Sequence, residues 1–78
     1  MIAEPLRNDA LSRWNGMLRN QAALLERPGF HHKALLTQAY ALHQEQFIDR
    51  DELSDLLDLA DAALAFAVES LLDINRDE

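Results

Sequence analysis

Apolar residues recur along this chain at spacings of three and four, which is typical of one face of an α-helix. Residues with a β-branched side chain are scarce and no segment alternates with period two, so strands are not indicated. The pattern predicts three helices, over residues of about 5–27, 31–46 and 50–73. We expect one all-α domain covering residues 1–78, arranged as a three-helix antiparallel bundle or a helical hairpin and completed by dimerisation.

The first predicted helix opens at Pro5, where the missing N–H costs no hydrogen bond. Gly16 weakens its middle by about 1 kcal/mol relative to Ala, and because it lies off the apolar side we interpret it as a tolerated surface residue. The Pro28-Gly29 pair separates this helix from the second. The apolar sides of the two helices consist of Leu6, Ala10, Leu11, Trp14, Met17, Leu18, Leu24 and Leu25, and of Leu35, Leu36, Ala39, Tyr40, Leu42 and His43.

The third predicted helix has the clearest start signal in the chain. Asp49 is placed as the N-cap, and Glu52 follows three residues later, as in a capping box. Ile48 before the cap and Leu53 at the fourth helical position fit the accompanying hydrophobic staple. The sequence therefore predicts that this helix begins immediately after Asp49.

The apolar face of the third helix is wider than the stripe of about 100° that a surface helix usually shows, because Leu59 and Phe66 extend it. Two short helices cannot easily cover so wide a face, and a core of about 70–80 residues rarely supplies more than about 3–5 kcal/mol. We therefore expect a homodimer. For Phe66, partial burial in the core and intermolecular contact are equally supported. The predicted interface consists of Leu56, Leu59, Ala63, Phe66 and Ala67.

Charge is distributed unevenly over the 78 residues, whose formal net charge is −7. Residues 1–33 contain five basic and three acidic side chains, a net of +2, whereas residues 34–78 contain two basic and eleven acidic ones, a net of −9. This polarity could steer antiparallel pairing, but we favour a solvated surface, since exposed ion pairs contribute about 0–1 kcal/mol each. The predicted acidic surface consists of Asp51, Asp55, Asp58, Glu69 and Asp73.

Composition excludes several classes of protein. With no Cys, disulfides and thiolate chemistry are impossible. The longest uninterrupted apolar run covers residues 62–68, far short of the roughly 20 needed to span a bilayer, and the first residues lack the features of a signal peptide. We expect a cytoplasmic protein that binds no membrane. Direct nucleic-acid binding is not expected either, because the last helix carries acids where a recognition helix needs Arg, Lys, Asn or Gln.

No residue pattern indicates catalysis, a metal or a cofactor. His31 and His32 diverge by about 100° on a helix, and His43 lies three turns from His32, so no pair has metal-ligand spacing. We expect His31 and His32 to be exposed at the start of the second helix, and His43 to pack at a helix seam beside Tyr40 and Phe47. None of the hydroxyl residues sits in a nucleophile motif, which applies to Ser12, Thr37, Ser54 and Ser70.

Two hypotheses of function remain. The first is a non-enzymatic, homodimeric regulatory or adaptor protein that binds another protein. The alternative is an acidic inhibitor or antitoxin-like protein that imitates nucleic-acid phosphates toward a basic partner. Trp14 and Tyr40 could serve as recognition anchors, but both lie on apolar helix sides and we expect them in the core.

Overall fold

The computed structural model describes the backbone of residues 3–76 and the side chains of residues 6–72. Within those residues the chain is all-helical, with four helices packed together rather than the three that the sequence predicts. The helices are α1 (Ala3–Leu18), α2 (Gln21–Glu26), α3 (Pro28–Gln44) and α4 (Arg50–Arg76).

The first predicted helix is interrupted at Arg19 and Asn20, so the prediction of one continuous helix is wrong. Asn20 caps the start of α2, and its side-chain oxygen accepts a hydrogen bond from the N–H of Ala23 at 3.2 Å. Asn competes well for backbone donors and is a preferred N-cap. Gly16 lies exposed four residues earlier, and a Cβ there would meet no atom within 4 Å. That finding confirms its interpretation as a surface residue.

The second predicted helix begins three residues earlier than expected. Arg27 is the single residue between α2 and α3, and it has non-helical φ and ψ of −142° and 79°. A residue before proline is disfavoured in the α conformation, whereas proline itself fits the first position of a helix. Pro28 therefore starts α3 and does not merely separate two helices, and the helix ends at Gln44 instead of residue 46.

A five-residue turn, 45–49, joins α3 to α4 and is closed by hydrogen bonds at both ends. At the end of α3, the N–H of Gln46 reaches the carbonyl of His43 and that of Phe47 reaches the carbonyl of Leu42, both at 3.0 Å. This pairing is a Schellman motif, and Gln46 occupies its left-handed position with φ of 64°. At the start of α4, the predicted capping box is confirmed. The Asp49 carboxylate accepts from the N–H of Glu52 at 2.8 Å, and the Glu52 carboxylate accepts from the N–H of Asp49 at 3.0 Å.

The core lies where α1, α3 and α4 meet. The indole Nε1 of Trp14 donates to the carbonyl of Leu35 at 3.0 Å, which confirms Trp14 as a core residue. Arg7 of α1 donates from Nε to the carbonyl of Phe47 at 2.7 Å and pairs with the Glu52 carboxylate, fixing α1 against the turn. The buried cluster consists of Trp14, Leu35, Ala39, Leu42, Ile48, Leu56 and Ala60. The molecule is elongated, measuring 57 × 20 × 14 Å.

The predicted positions of His31 and Tyr40 on α3 are wrong. His31 is buried, and its Nε2 lies 2.7 Å from the carbonyl of Met17 at the end of α1. A carbonyl only accepts, so Nε2 must carry the hydrogen, and Nδ1 is left buried with no partner among the described residues. Tyr40, expected in the core, is 52% exposed. It follows Ala39, which is fully buried, and a rotation of about 100° per residue turns Tyr40 away from α1 and α4.

Candidate interaction surface

Helix α4 has one side in the core and exposes apolar side chains on both of its flanks. Its inner side carries Leu56, Ala60 and Ala67, all buried. About 90° around the helix, Leu59 and Phe66 are 45% and 48% exposed. Residues seven apart lie only about 20° from each other on a helix, so these two side chains share one line along it. The prediction that the chain cannot cover them itself is confirmed.

The uncovered line has heptad spacing. Its members are spaced alternately by four and three residues, the spacing that keeps side chains on one seam of a helix. The apolar positions are central and acidic positions lie at both ends. We call this surface the α4 edge, and it consists of Asp55, Leu59, Ala62, Phe66 and Glu69, all exposed.

The residues of the predicted interface differ in exposure. Leu56 and Ala67 are 8% and 0% exposed within a single chain and lie on the core side of α4, and their contact with a second copy stays a prediction. Ala63 is half-buried beside the α4 edge. Only Leu59 and Phe66 of the predicted set present a large apolar surface.

The predicted acidic residues surround this edge. Asp51, Asp55, Asp58 and Glu69 are exposed, and none of them makes an ion pair with another described residue. Asp73 lies in α4, but its side chain is outside the described residues. Residues 51–75 contain seven acids and no Lys, Arg or His, so the charge of the helix has one sign over this length.

The two other acids of this stretch do have partners in the fold. Glu52 pairs with Arg7, and Asp61 accepts from Nε2 of His32 at 2.8 Å. The His32 side chain is only 19% exposed, so the prediction that it stands free at the start of its helix is wrong. His43 is half-buried and lines a shallow pocket together with Phe47 and Ile48. Asp61, the partner of His32, lies on the far side of α4 from Leu59, whereas Glu52 lies seven residues before Leu59, so the Arg7–Glu52 pair continues the line of the α4 edge at its start. Asp55 and Glu69 of the α4 edge pair with neither Arg7 nor His32.

The sequence does not predict several other exposed apolar side chains. Val68 is 45% exposed, and Leu72 is 55% exposed. Both point away from the α4 edge, since Val68 lies about 180° from Leu59 around the helix. Leu6, Phe30 and Tyr40 are exposed on α1 and α3. Leu6, Phe30 and Tyr40 are scattered, and single exposed apolar residues are normal on a protein surface. Val68 and Leu72 lie one turn apart on the far flank of α4.

A groove of about 480 Å³ runs between α1 and α3. Its apolar lining includes Trp14, Met17 and Leu42. Its polar lining includes two acids, Asp9 and Glu45, and one base, Arg13. The groove therefore favours neither sign of charge, unlike the α4 edge.

No group of three or more His, Asp or Glu among the described residues is arranged to hold a metal ion. Within the part of the chain that the structure describes, no helix is both long and apolar enough to cross a membrane. Comparison of the chain with protein-family models, curated proteins and solved structures finds no match.

Proposed function

We propose that this chain is a non-enzymatic interaction module that acts as a regulator or adaptor by binding another protein chain through the α4 edge. The single observation that carries the proposal is the exposure of Leu59 and Phe66, close to one half each, on one line of a helix whose inner side forms the core. Aromatic side chains in particular contribute strongly to binding when a partner removes them from water.

The homodimer expected from the sequence is one form of this proposal. It requires that a second copy cover Leu59 and Phe66. The alternative, an imitation of nucleic acid, is supported by the one-signed charge of residues 51–75. The two proposals differ in what binding depends on. A phosphate mimic binds by charge and weakens steeply with salt, whereas apolar anchors hold at high ionic strength.

The test compares two variants of the tagged chain expressed in its own cell. In Leu59→Ser with Phe66→Ser, the α4 edge loses both apolar side chains. In Val68→Ser with Leu72→Ser, the same chemical change is made elsewhere on the same helix. We expect a stoichiometric bound chain, whether a second copy or another protein, to be lost with the first variant and kept with the second. Equal recovery with both would contradict the proposal, and recovery lost at high salt alone would favour the phosphate mimic.

A further inference from the structure

We infer that the occupant of the α4 edge is a basic amphipathic helix of another protein, with two apolar residues seven apart and Lys or Arg on either side. The inference rests on the proposed function and specifies its partner. Three observations on α4 carry it: the spacing of the exposed residues, the position of the acids and the absence of any base from residues 51–75.

The spacing favours a helix as the binding element. Leu59 and Phe66 are separated by two helical turns, about 10.5 Å along the axis. Ala62 lies between them on the same line and is exposed, so a neighbouring helix can approach closely at that point. Together they form a short seam into which the side chains of a partner helix with heptad spacing can pack.

The charges favour a basic partner. Asp55 lies one turn before Leu59, and Glu69 lies one turn after Phe66. Asp51 and Asp58 add two further exposed carboxylates on the outer flank. A helix lying along the seam therefore meets carboxylates at both ends of its apolar contact, and Lys or Arg there gains from opposite charge and from faster encounter.

The same charges disfavour a second copy pairing through this edge. In a parallel pair of α4 helices, Asp55 and Glu69 each meet their own counterpart. In an antiparallel pair with Leu59 facing Phe66, Asp55 of one copy lies beside Glu69 of the other. Both arrangements bring like charges together at the ends of the seam, and residues 51–75 contain no Lys, Arg or His to offset them. Repulsion of this kind selects against a wrong partner.

The experiment measures binding of designed peptides to the full chain by fluorescence anisotropy, with amide chemical shifts to map the site. The basic probe is an alanine-rich helical peptide with two leucines seven residues apart and lysines on both sides. One control peptide replaces the lysines with glutamate, and a second has the composition of the basic probe in scrambled order. Protein variants are Leu59→Ser with Phe66→Ser, Asp55→Asn with Asp58→Asn, and the control Val68→Ser.

We expect the basic probe to bind, with shift changes confined to residues near the α4 edge. Loss of both Leu59 and Phe66 should weaken binding about tenfold or more, and loss of two acids by a smaller factor that shrinks as salt is raised. Val68→Ser should leave the affinity unchanged. All the variants alter exposed positions, so circular dichroism should show an unchanged helical fold.

Several results would overturn the inference. Binding of the glutamate peptide or the scrambled peptide as tightly as the basic probe would contradict it, as would shift changes centred in the α1–α3 groove. If sedimentation equilibrium shows a dimer that Leu59→Ser with Phe66→Ser dissociates, the occupant is a second copy. The proposed function then stands while this inference fails. If the unchanged chain is monomeric and binds no probe, and if Leu59→Ser with Phe66→Ser loses no bound chain, then the inference and the proposed function both fail.

Discussion

The two ends of α4 differ in how the rest of the chain covers them. The first turns are fixed by a capping box, by the closed turn 45–49 and by Arg7 of α1, which bonds both the carbonyl of Phe47 and the carboxylate of Glu52. Toward the other end, Phe66, Val68 and Leu72 are about half exposed. Apolar side chains occur along the whole helix, so the difference comes from the neighbours.

Helix length explains why coverage stops. The 27 residues of α4 extend over about 40 Å, whereas the 17 residues of α3 extend over about 26 Å. Because α3 ends and α4 begins at the turn 45–49 and the two helices run antiparallel, the second part of α4 passes beyond the start of α3. There its neighbour is α2, which has only six residues. Helix length therefore explains the exposure of Val68 and Leu72 near the far end, whereas Leu59, which lies within the length of α3, is exposed because of its direction around α4.

The largest effect is expected from truncating a leucine of the core that α3 and α4 share, compared with a leucine on the exposed α4 edge. Leu35 is fully buried in the core cluster, so Leu35→Ala should lower the free energy of unfolding by about 2–5 kcal/mol through lost burial and a cavity. Leu59→Ala removes the same atoms from the exposed α4 edge and should change the free energy of unfolding by about 0.5 kcal/mol or less. Urea denaturation followed by circular dichroism measures both. Similar losses for the two variants would contradict the division into a core side and an uncovered edge.

A smaller effect is expected from breaking the capping box. Asp49→Ala removes the side chain that accepts from the N–H of Glu52, and should destabilise the fold by about 1 kcal/mol. Asp55→Ala is the matched control, since it removes the same charge from an exposed position with no described partner. We expect no loss of stability in the control. Equal effects of the two substitutions would show that net charge, and not the cap, determines the result.

The smallest effect has the opposite sign. Gln46 holds a positive φ, which costs a residue with a Cβ about 1–2 kcal/mol and costs glycine little. Gln46→Gly should therefore stabilise the protein by up to about 1 kcal/mol, after allowance for the greater freedom of glycine when unfolded. Gln44→Gly, inside the last turn of α3, should destabilise it by about 0.5–1 kcal/mol. A thermal melt of each variant distinguishes the two signs.

Features set by a few adjacent residues are predictable from this sequence. The start of α4 is encoded by Asp49 and Glu52 themselves, and its prediction is confirmed. The wide apolar face likewise predicts that Leu59 and Phe66 remain uncovered. The break at Asn20 is missed because hydrophobic periodicity continues through it, although the capping preference of Asn followed by Gln21 and Ala22 is a signal that could have found it.

The burial of a side chain that depends on how distant helices pack against each other is not predictable from local sequence patterns. His31 is four residues before Leu35 and eight before Ala39, so it shares their buried line on the helix predicted over 31–46 as well as on α3. The position of the Met17 carbonyl beside His31 depends on where α1 ends, and no local pattern in α3 reports it. The exposure of Val68 depends on the short reach of α2 and α3, which no local pattern reports. For the α4 edge, the acids and two apolar residues are predicted, whereas the burial of Leu56 and Ala67 is not.

The elongated shape of the molecule affects how its molecular mass is determined in solution. Its radius of gyration is 14.3 Å, whereas about 11.5 Å is usual for a compact domain of this chain length. A rod diffuses more slowly than a sphere of equal mass, so a column calibrated with globular standards assigns a single copy the elution volume of something heavier. Sedimentation equilibrium and light scattering give the mass independently of shape, so they are the measurements that determine the oligomeric state of this protein.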